Sequence, residues 1–433
     1  MKPLYPHQER AVGEAVALSR RGIKRILIVA PTGAGKTRVA CELSLRANRA
    51  RILWLTHRTE LIDQAVESLQ GECTTDIGVV QADDPRANPG ARVQVASVQT
   101  LTARGDRPTA DVVIVDECHH VKAATWNAVL RSYDGKTIIG LTATPERGDG
   151  KALGDVFDAL VTAAQYSELI AAGKLVDADV CAPTRRLTGS MASTAAAAYL
   201  ARGQGRPTIA FLPTVEMTYE TVAALQGAGV RCGAVTGDTP ASARAIIVEH
   251  FRTGDLDVIA NCLVLTEGFD APRASCAIIG RACTHAGTYL QICGRVLRTY
   301  PGKTRALLLD LTGAVLDHGW PTADRAYALA GTAIRQSAPA PASIWQCLSC
   351  GWCSQSRPTA CPRCGAVPPP PKPIRIVEDP LVRYERFETD PLPVKREYLQ
   401  RMLLEASSRG YKRGWAMFKY KSKYGVWPSN NLM

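Results

Sequence analysis

No apolar run in this 433-residue chain approaches the roughly 18 to 20 residues that a bilayer span needs. The N-terminus, Met1-Lys2-Pro3-Leu4-Tyr5-Pro6, lacks the apolar core of a secretory signal. Both absences argue against a membrane or exported protein and lead to an expected cytoplasmic location. A disulfide framework is not indicated either. The 14 cysteines are scattered, several in apolar stretches such as those around Cys41, Cys232 and Cys262, where buried thiols are expected. What the chain does have is length, apolar content and positive charge. With 46% hydrophobic residues there is material for two ordinary domains and an appendage. The formal charge of +12 favours a polyanionic partner, although a basic surface can also serve solubility alone.

Apolar runs alternate with helical patterns from Ile23 to Thr142. Ile26–Val29, Ile52–Leu55, Val93–Val98, Val112–Val115 and Ile138–Leu141 read as buried parallel strands, which predicts a doubly wound α/β domain. A second series follows the polar, Ala-rich stretch at 184–206, with strands expected at Thr208–Leu212, Val230–Val235, Val258–Ala260, Cys276–Ile279 and Ala306–Leu309. Pro and Ala enrichment near Ser337–Pro341 and a proline run at 368–373 mark breaks after it.

Ala30-Pro31-Thr32-Gly33-Ala34-Gly35-Lys36-Thr37 follows the first strand and precedes a helix, the setting that a phosphate-binding loop requires. Its glycines let backbone N–H groups turn toward phosphate oxygens, Lys36 supplies a point charge, and the Thr37 hydroxyl suits Mg²⁺. About eighty residues on, Asp116-Glu117-Cys118-His119 closes the strand Val112–Val115. Asp116 is placed to hold the metal shell and Glu117 to orient or deprotonate the attacking water. A glycine-rich loop can be only a turn and an acidic pair only a solvated strand end, but the two in this order point to nucleoside triphosphate chemistry. The second α/β series has no phosphate loop, so it is expected to supply groups across a cleft.

Cys347-Leu-Ser-Cys350 and Cys361-Pro-Arg-Cys364, ten residues apart, form two CxxC knuckles suited to a tetrahedral Zn²⁺, with Gly351 and Gly365 easing the turns. So short a segment has little core without a metal, and no thioredoxin-like context favours a redox pair. Cys353 is read as an extra thiol that is not a ligand. Arg409 to Tyr424 carries six Lys or Arg and no acidic residue, interleaved with Tyr411, Trp415, Phe418, Tyr420 and Tyr424. This composition can follow a phosphate backbone and stack on bases, or it can be an amphipathic helix docked on the body. The two are compatible if the aromatics pack while the lysines face out.

The motif order resembles helicase superfamily 2 over about residues 4 to 310. Leu4-Tyr5-Pro6-His7-Gln8 resembles an adenine-reading Q-type motif. Thr56-His57-Arg58 and Ser97-Val98-Gln99-Thr100-Leu101 resemble strand-contacting motifs. Leu141-Thr142-Ala143-Thr144-Pro145, Thr266-Glu267-Gly268-Phe269-Asp270 and Gln291-Ile292-Cys293-Gly294-Arg295-Val296-Leu297-Arg298 complete the series around the phosphate loop and the Asp-Glu-Cys-His run. Asp310-Leu-Thr-Gly313, Asp317-His318-Gly319, the four cysteines and the ending Lys423-Tyr424-Gly425-Val426-Trp427-Pro428 look more narrowly like the RadD-type DNA repair helicases of bacteria and phages.

The resemblance implies an α/β chain with two RecA-like parallel-sheet domains: an ATP-binding domain at 1–180 and a helicase C-terminal domain at 181–335. A zinc-ribbon-like module at 342–368 and a basic aromatic tail at 369–433 would follow. Gln8 would read adenine, and Pro31 to Thr37 with Gly268 and Asp270 would contact or sense the nucleotide. Lys36, Asp116, Glu117, Arg295 and Arg298 would be catalytic, the two arginines, three apart and so on one helical face, acting as fingers on the γ-phosphate. Thr56, His57, Arg58, Gln99, Thr100 and Thr266 would touch nucleic acid, while His119, Thr142 and Thr144 would couple the two surfaces. The implied cofactors are ATP, Mg²⁺ on Thr37 and Asp116, and Zn²⁺ on Cys347, Cys350, Cys361 and Cys364. The implied partner is DNA, single-stranded or branched. RNA is the alternative track, and a zinc adaptor with a vestigial ATPase the alternative function. Tyr5-Pro6-His7 departs from the Arg-Pro-Tyr common in the family, so Tyr5 would stack on the base. No large unwinding wedge is inserted within residues 4 to 330, which favours translocation over strand separation.

Overall fold

The computed structural model describes residues 3–433 apart from 48, 57–58, 73–75, 106, 121–123, 146–152, 184–185, 188, 266–268, 330–344, 347–352, 355–359, 362–363, 368–374, 377–380, 385–391, 409–412, 425–427 and 429–433. It falls into two compact units, Met1–Arg383 and Tyr384–Met433. The first contains both α/β lobes.

Seven strands build the sheet of the first lobe: β1 (Arg25–Val29), β2 (Ile52–Thr56), β3 (Ile77–Val80), β4 (Val93–Ser97), β5 (Val112–Val115), β6 (Thr137–Thr142) and β7 (Ala159–Thr162). Their order is β3-β4-β2-β5-β6-β1-β7, and every neighbouring pair is parallel. Ile26–Val29 of β1, Ile52–Leu55 of β2 and all of β5 are unbroken apolar runs, as strands covered on both faces require. The register pairs Val29 with Thr142 and Val115 with Gly140. The loops leaving β1, β5 and β6 therefore emerge side by side at the carboxyl edge, where parallel sheets carry their ligands. The five expected strands are present, each within about one residue of its expected bounds. The edge strands β3 and β7 were not anticipated.

The second lobe repeats the plan with β8 (Asp177–Ala182), β10 (Thr208–Phe211), β11 (Cys232–Val235), β12 (Val258–Asn261), β13 (Cys276–Ile279), β14 (Arg305–Asp310) and β18 (Val382–Tyr384), in the order β11-β12-β10-β13-β14-β8-β18. The division placed at residue 180 falls inside β8, which pairs with β14 and so belongs to the second sheet. The Ala-rich stretch before β10 is not a bare connector. It includes the short β9 (Ser190–Met191), and Ala195, Ala196, Ala198 and Tyr199 are packed into the second core with Leu212, Leu225 and Ile278. After the second lobe the chain returns to the first. Asp324 accepts from the Ser167 backbone N–H (2.9 Å), Gln165 Nε2 donates to the Arg325 carbonyl (2.7 Å), and Tyr327 and Leu329 pack on the first core.

Among the later described residues, β15 (Trp345–Gln346) and β16 (Cys353–Ser354) pair antiparallel, and β17 (Arg375–Ile376) pairs parallel with β9. The second unit consists of helices at Leu392–Ser408 and Arg413–Tyr424. Tyr420 and Ala416 of the later helix are buried against Leu399, Met402 and Ala406 of the earlier one, while Lys419 is exposed. These aromatics pack on the neighbouring helix of the same unit rather than on the body, which was the expected docking. Among the described residues no helix is long and apolar enough to cross a membrane.

Gly140 on β6 shows how closely this edge is packed. A Cβ there would lie 2.3 Å from Phe157 Cζ and 3.0 Å from Cys118 Sγ. Gly140→Ala should therefore destabilise the first lobe by about 1–3 kcal/mol, seen as a lower thermal midpoint. An unchanged midpoint would mean that Phe157 yields at no cost.

Candidate active site

The phosphate loop leaves β1 at Ala30 and ends at the helix Lys36–Arg46. Gly33 and Gly35 hold φ of +93° and +82°, a left-handed conformation that side-chain-bearing residues rarely adopt. A Cβ on Gly35 would also fall 2.4 Å from Gln8 Nε2 and displace that amide from the loop. Gly35 has no side chain to cap the helix, so the backbone N–H groups of the first turn face the site as anion donors. This arrangement fits a triphosphate.

The helix Pro6–Arg20 delivers two buried side chains to the outside of the loop. His7 Nε2 donates to the Ala34 carbonyl (3.0 Å), and so does Gln8 Nε2 (3.2 Å), while Gln8 Oε1 accepts from the Tyr5 backbone N–H (3.0 Å). One end of the Gln8 amide thus holds the loop and the other caps the start of its own helix. Tyr5 is partly exposed, and the Lys174 ammonium lies 3.7 Å from its ring centroid.

Beyond β5, Glu117 stands at φ +47°, one of three described non-glycine residues at positive φ. Such a conformation costs about 1–2 kcal/mol, and here it turns the carboxylate from the strand end into the cleft. The turn is held by the Glu117 N–H donating to Asp116 Oδ1 (3.0 Å) and the Asp116 N–H donating to the Leu55 carbonyl (3.0 Å). Glu117 Oε1 lies 3.7 Å from Lys36 Nζ, and Oε2 lies 3.4 Å from His119 Nδ1. Cys118 between them is fully buried, and burial pushes its thiol well above the usual range, so it is a packing residue.

His119 connects the lobes. Gln291 Nε2, on the second-lobe helix Ala286–Gly294, donates to His119 Nε2 at 3.0 Å. With the amide so oriented the imidazole proton sits on Nδ1, which faces Glu117 and lies 3.5 Å from Thr142 Oγ1. Thr142 in turn donates to the Thr144 carbonyl at 2.7 Å. At Gly294, one turn beyond Gln291, a Cβ would lie 2.5 Å from Thr32 Cβ, and at Gly287 it would lie 2.9 Å from Thr144 Oγ1. Both glycines are positions where the lobes approach too closely for a side chain.

The arginines require a correction. The helix ends at Gly294, with Arg295 as its cap, and Arg298 lies in an extended bridge opposite Leu175. The two do not share a helical face. Arg295 is buried and Nη1 donates to the Phe269 carbonyl (2.6 Å). Arg298 pairs with Asp270, and its Cγ is 3.5 Å from where a Gly33 Cβ would be, so its stem lies along the phosphate loop. Lys303 Nζ donates to the carbonyls of Arg298 (2.7 Å), Ala274 (2.6 Å) and Pro272 (3.2 Å). Burial, then the neighbouring Arg298, push this ammonium down to about 7, but only the protonated form can donate to all three carbonyls at once, so the group that makes these bonds is the ammonium.

The structure thus places Gln8 and the Arg298 stem against the Pro31 to Thr37 loop, Glu117 between Lys36, Asp116 and His119, Thr142 beside His119 and Thr144, and Asp270 on Arg298, whereas Arg295 is turned onto the Phe269 carbonyl. Of the expected nucleic-acid contacts, Thr56 is fully buried at the end of β2, whereas Gln99 is exposed and Thr100 partly so at the start of the helix after β4. His57, Arg58, Thr266, Gly268, Cys347 and Cys350 lie outside the described residues. Among the described residues no cluster of three or more His, Cys, Asp or Glu side chains could hold a metal. Sequence reasoning gave no role to Gln291, Leu175 or Lys303. Gln291 carried a signal, heading the run that ends in Arg298; the other two are recognisable only from the fold.

Residues 1–147 match the family model of the type III restriction enzyme res subunit, and 192–300 match the helicase conserved C-terminal domain, together more than half of the chain. The chain is 28% identical over 344 residues to irc3 of Schizosaccharomyces pombe, a candidate mitochondrial ATP-dependent helicase. The match covers 71% of this chain and 57% of that protein, so the chain spans little more than half the length of this relative. It is 30% identical over 129 residues to the DNA 3'-5' translocase XPB2 of Sulfurisphaera tokodaii, covering 30% and 29% of the two chains. In fold it resembles a fragment of a type I restriction enzyme HsdR subunit from Vibrio vulnificus, with a TM-score of 0.59 at 22% identity over 73% of this chain and 65% of that one. Two parallel-sheet lobes, the paired family matches and the Asp-Glu-Cys-His strand end lead to one conclusion: the chain belongs to the DExH-type helicases of superfamily 2.

Proposed function

We propose that the chain is a DNA-dependent ATPase that moves on or remodels DNA. The observation that carries this reading is the connection from Lys36 through Glu117 and His119 to Gln291, which ties the hydrolytic carboxylate of one lobe to the other lobe. A triphosphate on the loop would draw Lys36 from Glu117 and free that carboxylate to orient water for in-line attack. Thr37 and Asp116 would hold Mg²⁺, which neutralises charge on the transferred phosphoryl group. Arg298, exchanging Asp270 for the γ-phosphate, would add a positive charge from the second lobe, with Arg295 fixing the segment at Phe269. Gly268 and Asp270 would sense the nucleotide, and Gln8 would read adenine by trading one of its present bonds.

DNA as the track is supported by the charge of +12 and by the likeness to a protein named a DNA translocase. His57, Arg58, Gln99, Thr100 and Thr266 would meet its backbone, with Thr56 supporting them from within β2 and Thr142 and Thr144 relaying closure. Single-stranded or branched DNA, a role in repair like that of the RadD-type helicases, and a cytoplasmic location belong to the same proposal. So does Zn²⁺ on Cys347, Cys350, Cys361 and Cys364. It is favoured by the antiparallel pairing of β15 with β16, which flank the first knuckle in sequence, and by the backbone bonds beside the second. There the Gly365 N–H donates to the Cys361 carbonyl and the Cys361 N–H to Ala366 (both 2.8 Å), with Gly365 at φ +72°. Zinc would supply the cross-link that so small a segment lacks.

Three outcomes test this reading. Lys36→Ala should cut ATP turnover roughly 10²- to 10³-fold; turnover near wild type would remove the phosphate-loop assignment. Glu117→Gln should bind ATP as tightly as wild type yet stall before hydrolysis, and a loss of nucleotide binding would make Glu117 structural. Elemental analysis of purified full chain should find about one zinc per molecule; a folded chain free of zinc would refute the four-cysteine site.

A further inference from the structure

We infer that Lys303 is a positioning residue for hydrolysis, an ammonium clamp that sets the Arg298 backbone against the segment after Asp270. The inference rests on the role proposed for Arg298. Lys303 belongs to no recognised motif, and its own loop folds it back: Gly302 stands at φ +78°, and the Lys303 N–H donates to the Tyr300 carbonyl (2.9 Å). Its three donors converge on Pro272, Ala274 and Arg298, as many bonds as an ammonium can make. Removing the charged donor would leave three carbonyls short of a partner in a half-buried place.

The target of the clamp explains its importance. Residues 269–274 are held from several directions: Arg295 on the Phe269 carbonyl, Arg252 Nε on the Asp270 carbonyl (2.8 Å), and Arg273 reaching back to the carbonyls of Phe251 and Leu256. These contacts fix the segment to the second lobe. Arg298 itself is in extended backbone after the end of its helix, joined to the segment by a side-chain ion pair that a phosphate could break. Lys303 joins the Arg298 main chain to that segment through backbone carbonyls alone. The Arg298 guanidinium can then swing between Asp270 and the phosphate loop while its Cα stays in place. A displacement of about 1 Å in a group that stabilises the transition state is enough to lower the rate of chemistry without weakening ground-state binding.

The test is a double-mutant cycle on the full chain, reading ATP turnover with DNA present. Lys303→Met, which keeps the stem and removes the charge, should lower kcat about tenfold, with KM for ATP within roughly twofold. In an Arg298→Ala background the same substitution should cost nothing further, because the group it positions is gone. Lys303→Met with wild-type kcat, or a loss that multiplies with that of Arg298→Ala, would overturn the inference. If Lys303→Met does not fold, the cycle is run with Lys303→Arg, whose planar guanidinium keeps the charge but cannot converge on three carbonyls, and the same two outcomes decide. Arg298→Ala turning over like wild type would instead defeat the finger role, a result read from that single variant.

Discussion

The second lobe can seat its helix on the phosphate loop only because Gly294 has no side chain, since a Cβ there would collide with Thr32. That close approach places Gln291, three residues earlier on the same helical face, within hydrogen-bonding distance of His119. His119 in turn faces Glu117 and Thr142, so one interlobe bond bears on both the Glu117 carboxylate and the β6 edge. Arg298 reaches the loop past Gly33 for the same reason. If the lobes parted by the width of a methyl group, these contacts would all weaken together. On the proposed function, coupling between nucleotide and lobe position would follow from packing at these two glycines.

Several cations serve the arrangement without facing the nucleotide. Arg252, Arg295 and Lys303 all donate to main-chain carbonyls in or beside the segment 269–274. Together they tie this segment to the second lobe through its main chain, whereas the Arg298 side chain meets it only through the Asp270 carboxylate. The linker contributes from the other side: Leu175 is buried against Gly33 and bridged to Arg298, and Lys174 lies over Tyr5.

Much of this was legible in the sequence, for physical reasons. The central strands announced themselves because both of their faces are buried, which forces continuous runs such as Val112–Val115. The phosphate loop and the acidic strand end were legible because phosphate and metal chemistry allows few residue types. The edge strands were not: Ile77–Val80 and Ala159–Thr162 are only partly covered, so neither has the fully buried pattern that reveals a strand. Spacing misplaced Arg298, because three residues imply one helical face only if the helix continues, and here it stops at Gly294. Thr56 looked like a surface contact from its motif, yet its position at the end of the central strand β2 buries it. Lys303 was invisible in principle. Its partners are carbonyls 5 to 31 residues away in the chain, and a carbonyl leaves no mark on the sequence.

If the proposed function is right, nucleotide hydrolysis and nucleic-acid contact are joined through the two lobes. The most direct test is the steady-state rate of ATP hydrolysis by the full chain at fixed low salt, alone and then with single-stranded, duplex or forked DNA and the matching RNAs. The account predicts a low rate alone and strong stimulation by DNA, greatest with single-stranded or forked forms. A rate that is the same with and without every polymer would contradict it.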